Sequence, residues 1–298
     1  MNPDKSQKEM PNPDAHKPPE KKKPRKRKIS ATYLGSGRGI IMQKRDEIVL
    51  KFLACGPARS KELGPLFRKK DSNEPLSYIQ VNRRLNELTR RNYIQKRNYP
   101  ELENSIIFYI GPMGCNWLRE WHDYEEDQIR DKIVQRDHIV HEMMVAHVLR
   151  KIIADSQNKK LYKILTFSDD LQLKIRNKFK KNMVYPDLEI LISPYDGATV
   201  KINIEVEGKE LRQSKFEKKL SGLQEQWQQR GILSNPNLLL VVVMHDGRIE
   251  RLYRYAAAVN RRPEDIYFTT INEFYYGGIT GSRWLHFPSK KELPIRFL

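Results

Sequence analysis

Apolar and polar positions change period twice along this chain, and the changes mark its parts. From residue 41 to 53, Ile41, Ile48, Val49, Phe52 and Leu53 follow helical spacing, and Gly56-Pro57 ends the run. Ser60 then caps a short second helix through Leu63, Leu66 and Phe67. Behind Pro75 and Ser77 a third helix runs from Tyr78 to Leu88, with Val81, Leu85 and Leu88 at i, i+4 and i+7 facing a core. Strands at 93–97 and 105–110 follow, joined through Asn98 to Asn104 as a hairpin. Residues 121–137, with sparse apolar positions, read as a charged helical connector. From His138 the order becomes α-β-β-β-α-β: a helix to about Ile153, strands at 161–167, 187–192 and 199–207, and a helix from Ser214 to Gln229. The last strand of that order is the apolar run Leu238 to Met244. That run has the continuous apolarity of a sheet centre, and residues 265–270 read as an edge strand.

Three helices followed by a hairpin is the winged-helix order, and the third helix has the size of an element that fits the DNA major groove. On or near its outer face lie Gln80, Asn82, Arg83 and Arg84; Arg90, Arg91, Lys96 and Arg97 continue the charge onto the base of the hairpin. Asn82 and Gln80 have side chains able to read base edges. A basic helical face of this kind also serves as a protein-binding surface, so the pattern leaves both partners open.

Composition reinforces the polyanion reading. The 298 residues carry 55 Lys+Arg against 37 Asp+Glu, a formal net charge of +18. Residues 1–38 form a tail rich in Pro, Lys and Arg that holds too little apolar surface to offset its ordering entropy, and its run Lys21 to Lys28 suits phosphate. The parts are then a disordered basic tail (1–38), a winged-helix domain (39–120), a connector (121–137) and a second domain (138–298). No apolar run approaches the roughly 20 residues of a membrane span, and no apolar N-terminal segment suggests a secretory signal. The two cysteines, Cys55 and Cys115, form neither a Cys-x-x-Cys pair nor a disulfide framework, and a cytoplasmic setting with no membrane partner is the expectation.

In the second domain chemistry concentrates on the strand 199–207. Val200, Ile202, Ile204 and Val206 alternate with Lys201, Asn203, Glu205 and Glu207, so the two glutamates share a face about 7 Å apart. Asp187 opens the preceding strand after Pro186. Three carboxylates gathered there suit Mg²⁺, which takes oxygen ligands and keeps several waters, with Asp187 and Glu205 as its ligands. The alternative is that they are exposed strand carboxylates paired with Lys201, Lys209 or Lys215. His138, His141 and His147 lie on one helix without a further His or Cys ligand nearby in sequence, which favours structural or surface roles.

Pro186-Asp187 followed by Glu205-Val206-Glu207, within the order α-β-β-β-α-β, resembles the PD-(D/E)XK nuclease fold, and Glu142 matches the acidic residue often found on its first helix. The chain as a whole resembles the bacterial replication-relaxation family, associated with plasmid replication and relaxation of plasmid DNA. Its members combine a winged helix with a PD-(D/E)XK-like domain. The matching stretches are Val81 to Leu88, Tyr109 to Gly114, His141-Glu142, Pro186-Asp187, Ile204 to Glu207 and Lys219-Leu220, spanning most of residues 40–245. The resemblance implies an α/β (α+β) chain of two such domains in the bacterial cytoplasm. Its partners would be double-stranded DNA and replication or relaxosome proteins, and it leaves the oligomeric state open. It also implies a catalytic set of Asp187, Glu205, Glu207 and Glu142 with a lysine, and Mg²⁺ if that site is active. The motif places lysine two residues after the acidic ligand, where this chain has Glu207. Lys209 stands one step further along the strand, and Lys215 or Lys219 can reach the site from the following helix. Three functions follow: a DNA-binding protein of a mobile element with a degenerate nuclease-like domain, a Mg²⁺-dependent endonuclease or nickase, and a scaffold that docks a replication or transfer partner.

Overall fold

Helix α1 (Lys44–Ala54) is the first element among the described residues, and Val49, Leu50, Leu53 and Ala54 bury one side of it. The structure is a computed structural model, and it describes residues 40–69, 74–125, 128–131, 138–159, 162–178, 183–194, 199–207, 213–229, 237–259, 266–293 and 295. The basic tail, Lys209 and the turn at 195–198 lie outside the described residues. Ile48, expected on the apolar face of α1, is instead exposed.

A two-residue strand, β1 (Ala58–Arg59), precedes the short α2 (Ser60–Leu63). Helix α3 (Tyr78–Arg90) starts at Ser77, whose hydroxyl accepts from the Gln80 N–H, while the Gln80 side-chain oxygen accepts from the Ser77 N–H at 3.1 Å. Strands β2 (Ile94–Tyr99) and β3 (Ser105–Ile110) form the expected hairpin, and β1 adds to the other side of β3 in the order β1-β3-β2. Helix α4 (Pro112–His122) was not part of the sequence expectation. It ends at Asp123 in the left-handed region (φ 54°), and the described residues beyond it do not continue the charged helix expected over 121–137.

The rest is a mixed helix-and-sheet layer structure. It comprises α5 (Ile139–Lys159), β4 (Tyr162–Asp169), α6 (Asp170–Arg176), β5 (Leu188–Pro194), β6 (Val200–Glu207), α7 (Gln213–Gln229) and β7 (Asn237–Val243). It continues with α8 (Asp246–Val259), β8 (Ile266–Thr270), α9 (Ile271–Gly281), β9 (Trp284–Phe287) and β10 (Glu292–Leu293). The seven strands run in the order β10-β9-β8-β7-β6-β5-β4, with β6-β7 and β7-β8 parallel and the other pairs antiparallel. Helices α5 and α9 cover one face through Leu149, Ile152, Phe274 and Ile279. On the other face α7 and α8 pack through Phe216, Leu220, Leu223 and Leu252. Strand β7 is apolar on both sides because both are covered, as its sequence implies. The expected edge strand is not at an edge: β8 lies between β7 and β9, because the chain continues through two strands that sequence patterning did not suggest.

Residues Met42–Leu298 cluster as one compact unit. Two arginines account for much of that continuity. Arg130 is buried; its backbone N–H donates to Ala54 O at 2.8 Å and its side chain donates to Cys55 O, to Asp169 and to Glu142. Arg150 of α5 donates to the carbonyls of Phe52, Gly56 and Pro57 and covers the Phe52 ring at 3.9 Å. These carbonyls belong to the last turn of α1 and the residues just past it, where they lack intrahelical partners. Gly56 suits this junction twice over. Its φ is +124°, and a Cβ there would lie 2.9 Å from Ala146 Cβ on α5.

Candidate active site and nucleic-acid interface

Two neighbouring strands and the helix after them assemble the acidic cluster. Register places Leu188 of β5 opposite Ile204 of β6, so Asp187, one residue before Leu188, comes to the level of Glu205. One Asp187 oxygen, Oδ2, accepts the Val206 N–H at 2.8 Å. The other, Oδ1, faces Lys219 Nζ at 3.3 Å and His141 Nε2 at 3.4 Å. Lys219 also pairs with Glu205 Oε2. Helix α7 buries Phe216, Leu220 and Leu223 against the sheet, and Lys219 stands about 60° round from that stripe at 100° per residue, beside the strand face that carries Glu205. Lys215 is about 100° away from Phe216 and exposed, so the lysine that reaches the site from α7 is Lys219.

Burial sets the electrostatics. Glu205 is 2% exposed and Glu207 7%, which excludes the reading of them as solvated strand carboxylates. Lys201 pairs with Glu189 across the strands at 2.6 Å rather than with either glutamate. Desolvation pushes Glu205 well above the usual carboxylate range, although Lys219 opposes it. The same desolvation, with the Asp187 charge added, raises Glu207 to about 7. Asp187 moves the other way: the Lys219 charge, the His141 contact and the Val206 N–H outweigh its burial and hold it below the ordinary range. Lys219, despite desolvation, is raised by Glu205 and Asp187 and keeps its proton through neutral pH. His141 is likewise raised by Asp187 against the effect of burial.

No family model, no curated protein and no solved structure matches this chain.

Several expected site residues are placed elsewhere. Glu142 bonds Arg130 Nη2 at 2.6 Å, in a buried group completed by Asp169, which holds Arg130 Nε at 2.9 Å. It is thereby committed to the junction between the two sheets, because Arg130 enters from the segment after α4. The three histidines do not converge: His138, just before α5, is exposed, while on α5 His141 faces Asp187 and His147 stacks on Tyr275 of α9. Among the described residues no group of three or more His, Cys, Asp and Glu is set to hold a metal ion. Asp187 and Glu205 nevertheless fit a divalent cation of the Mg²⁺ type. They supply hard oxygen donors, Glu205 Oε1 is buried without a hydrogen-bond partner, and Mg²⁺ needs only one or two carboxylates besides its waters.

The basic face is narrower than the sequence suggested. Arg84 lies against α1, where it donates from Nε to Asp46 Oδ1 at 2.9 Å and from Nη2 to Asp46 Oδ2 at 2.5 Å, and it also pairs with Glu87. Asp46 is 0% exposed and accepts the Gln43 N–H at the start of α1, so Arg84 locks two helices together. Gln80 spends its side-chain oxygen on the Ser77 cap. Arg84 stands more than about 100° from the outer midline of α3, while Gln80, though exposed, stands about 75–90° to one side of it. The residues that do line it are Ile79, Arg83, Asn86 and Arg90, all exposed and spaced i, i+4, i+7 and i+11. Asn82 flanks this stripe half-buried. Lys96 of β2 donates to Asn86 Oδ1 at 2.9 Å, while Arg91 and Arg97 are exposed beside it. Ile79 and Asn86 were missed in sequence. Counting outward from Val81, Leu85 and Leu88 on a helical wheel would have found them.

Proposed function

We propose that this protein docks on double-stranded DNA through α3 and the β2-β3 hairpin, as a winged helix, and cuts one strand at a PD-(D/E)XK-like site with Mg²⁺. It would act in the replication, relaxation or transfer of a plasmid or other mobile element of a bacterium. The observation that carries the nuclease part is Lys219, whose ammonium pairs with both Asp187 and Glu205. It supplies the lysine that the strand motif lacks at Glu207. Asp187 and Glu205 would hold the cation; when bound, Mg²⁺ supplies a Lewis acid and an acidified water for phosphodiester hydrolysis. Lys219 stays protonated, so it acts as a fixed positive charge beside the developing negative charge of the phosphoryl oxygens. Asp187 is oriented by the Val206 N–H and His141, which keeps its carboxylate ionised. The exposed Arg83, Arg90, Arg91, Lys96 and Arg97 support the docking role.

The test is nicking of supercoiled plasmid with Mg²⁺ by the full chain. Cleavage should fall at least a hundredfold in Asp187→Asn, Glu205→Gln and Lys219→Met, with duplex binding retained in a gel shift. Cleavage unchanged in Asp187→Asn and Glu205→Gln removes this site from the reaction.

One observation favours a second reading, a DNA-binding protein with a degenerate site. Lys219 already pairs with both carboxylates where a cation would sit, and Glu207 occupies the lysine position of the motif. Salt-dependent duplex binding with no nicking in Mg²⁺ or Mn²⁺ decides for that reading.

A further inference from the structure

The outer stripe of α3 mixes one large apolar side chain with its polar ones. Ile79 is 79% exposed at the second position of the helix, next to Tyr78 at 74%. A single exposed isoleucine needs no explanation by itself. This one stands in line with Arg83, Asn86 and Arg90, all exposed, on the face opposite Val81, Leu85 and Leu88. Cations around an apolar contact fit a duplex: the arginines meet its polyanionic backbone or guanine edges, and the isoleucine needs an apolar group among the bases. The major groove offers one such group, the 5-methyl of thymine.

On the proposed docking of α3 in the major groove, we infer that Ile79 is a specificity residue that packs on a thymine methyl. Residues near the N-terminus of such a helix reach base edges, and Ile79 is one residue into α3. Arg83 is four residues on, about 6 Å along the axis, which spans about two base-pair steps. A guanine read by Arg83 therefore stands within about two base pairs of that thymine. Tyr78 flanks the contact and closes it against water.

The experiment uses the full chain and duplexes enriched by it from a random-sequence library. The enriched pool is copied with dTTP or with dUTP, which differ in that methyl alone. Wild-type protein should bind the thymine copy about fourfold more tightly, the factor expected from burying one methyl. Ile79→Ser should bind both copies equally, and Ile79→Val should keep the preference. Equal binding of the two copies by the wild type overturns the inference and leaves DNA docking standing; so does a preference undiminished in Ile79→Ser, which would assign the methyl contact to another side chain. Failure to retain any duplex at low salt takes down the docking reading and this inference together.

Discussion

Arg83 and Arg84 are adjacent and chemically identical, yet the fold gives them opposite tasks. Arg84 fills both oxygens of the buried Asp46, while Arg83 extends outward from the same helix. Removing Arg84 strands a carboxylate in the interior, so Arg84→Ala should destabilise the protein by about 3 kcal/mol in urea unfolding. Arg83→Ala should leave stability within about 0.5 kcal/mol and weaken duplex binding about tenfold, with a shallower salt slope. Equal loss of stability in both variants would contradict this division. The outer face of α3 was legible in sequence only to within a quarter turn. The spacing of Val81, Leu85 and Leu88 fixes which side is buried, but no local pattern shows that Asp46, 38 residues earlier, claims one of the two arginines.

At the scale of elements, the alternation of β6 was readable and its consequence was not. Val200, Ile202, Ile204 and Val206 do face one core, as the period-2 pattern requires. The other face carries Asn203, Glu205 and Glu207, which in isolation reads as a solvent face, but α7 covers it and buries the carboxylates. Lys219 was one of three lysines open to the site, and the apolar stripe of α7 selects it. The buried strand face has a measurable cost. The Glu207 carboxyl, raised to about 7 from an ordinary 4.5, keeps its proton in the folded state after the unfolded chain has lost it. Its stabilising contribution is therefore full below about pH 4.5 and is lost as pH rises through 7. Between pH 5 and 8 in EDTA, wild-type stability should fall relative to Glu207→Gln by on the order of 1–3 kcal/mol. Urea denaturation of the two proteins across that range checks it, and parallel pH profiles would count against the burial of this carboxyl.

At the scale of the whole molecule, composition and patterning divided the chain into two domains and a helical connector, whereas the contacts tie the two sheets together. The link runs through long-range polar contacts that no window of sequence contains: Arg130 to Cys55 O, Asp169 and Glu142, and Arg150 to three carbonyls at and just past the end of α1. Apolar packing joins them, since Tyr99, Ile107 and Tyr109 of the hairpin share a cluster with Ile139 of α5. Glu142 follows His141, which contacts Asp187, so the same turn of α5 touches both the junction and the acidic cluster. A hairpin and α3 held this way keep a fixed position relative to Asp187 and Glu205, and the two sheets should unfold in one transition. Arg130→Met leaves Glu142 and Asp169 buried without their shared cation, at about 3–5 kcal/mol. Arg150→Met releases the carbonyls that hold α1. The double variant should split the single urea transition into two, with the helical part carrying α3 unfolding first because its own core is the smaller. Far-UV circular dichroism, paired with fluorescence of Trp117 in α4 against Trp284 in β9, separates the two events once the other tryptophans are replaced by phenylalanine. Coincident curves in the double variant would place the coupling in the apolar cluster around Tyr99 and Ile139 instead of in the arginines.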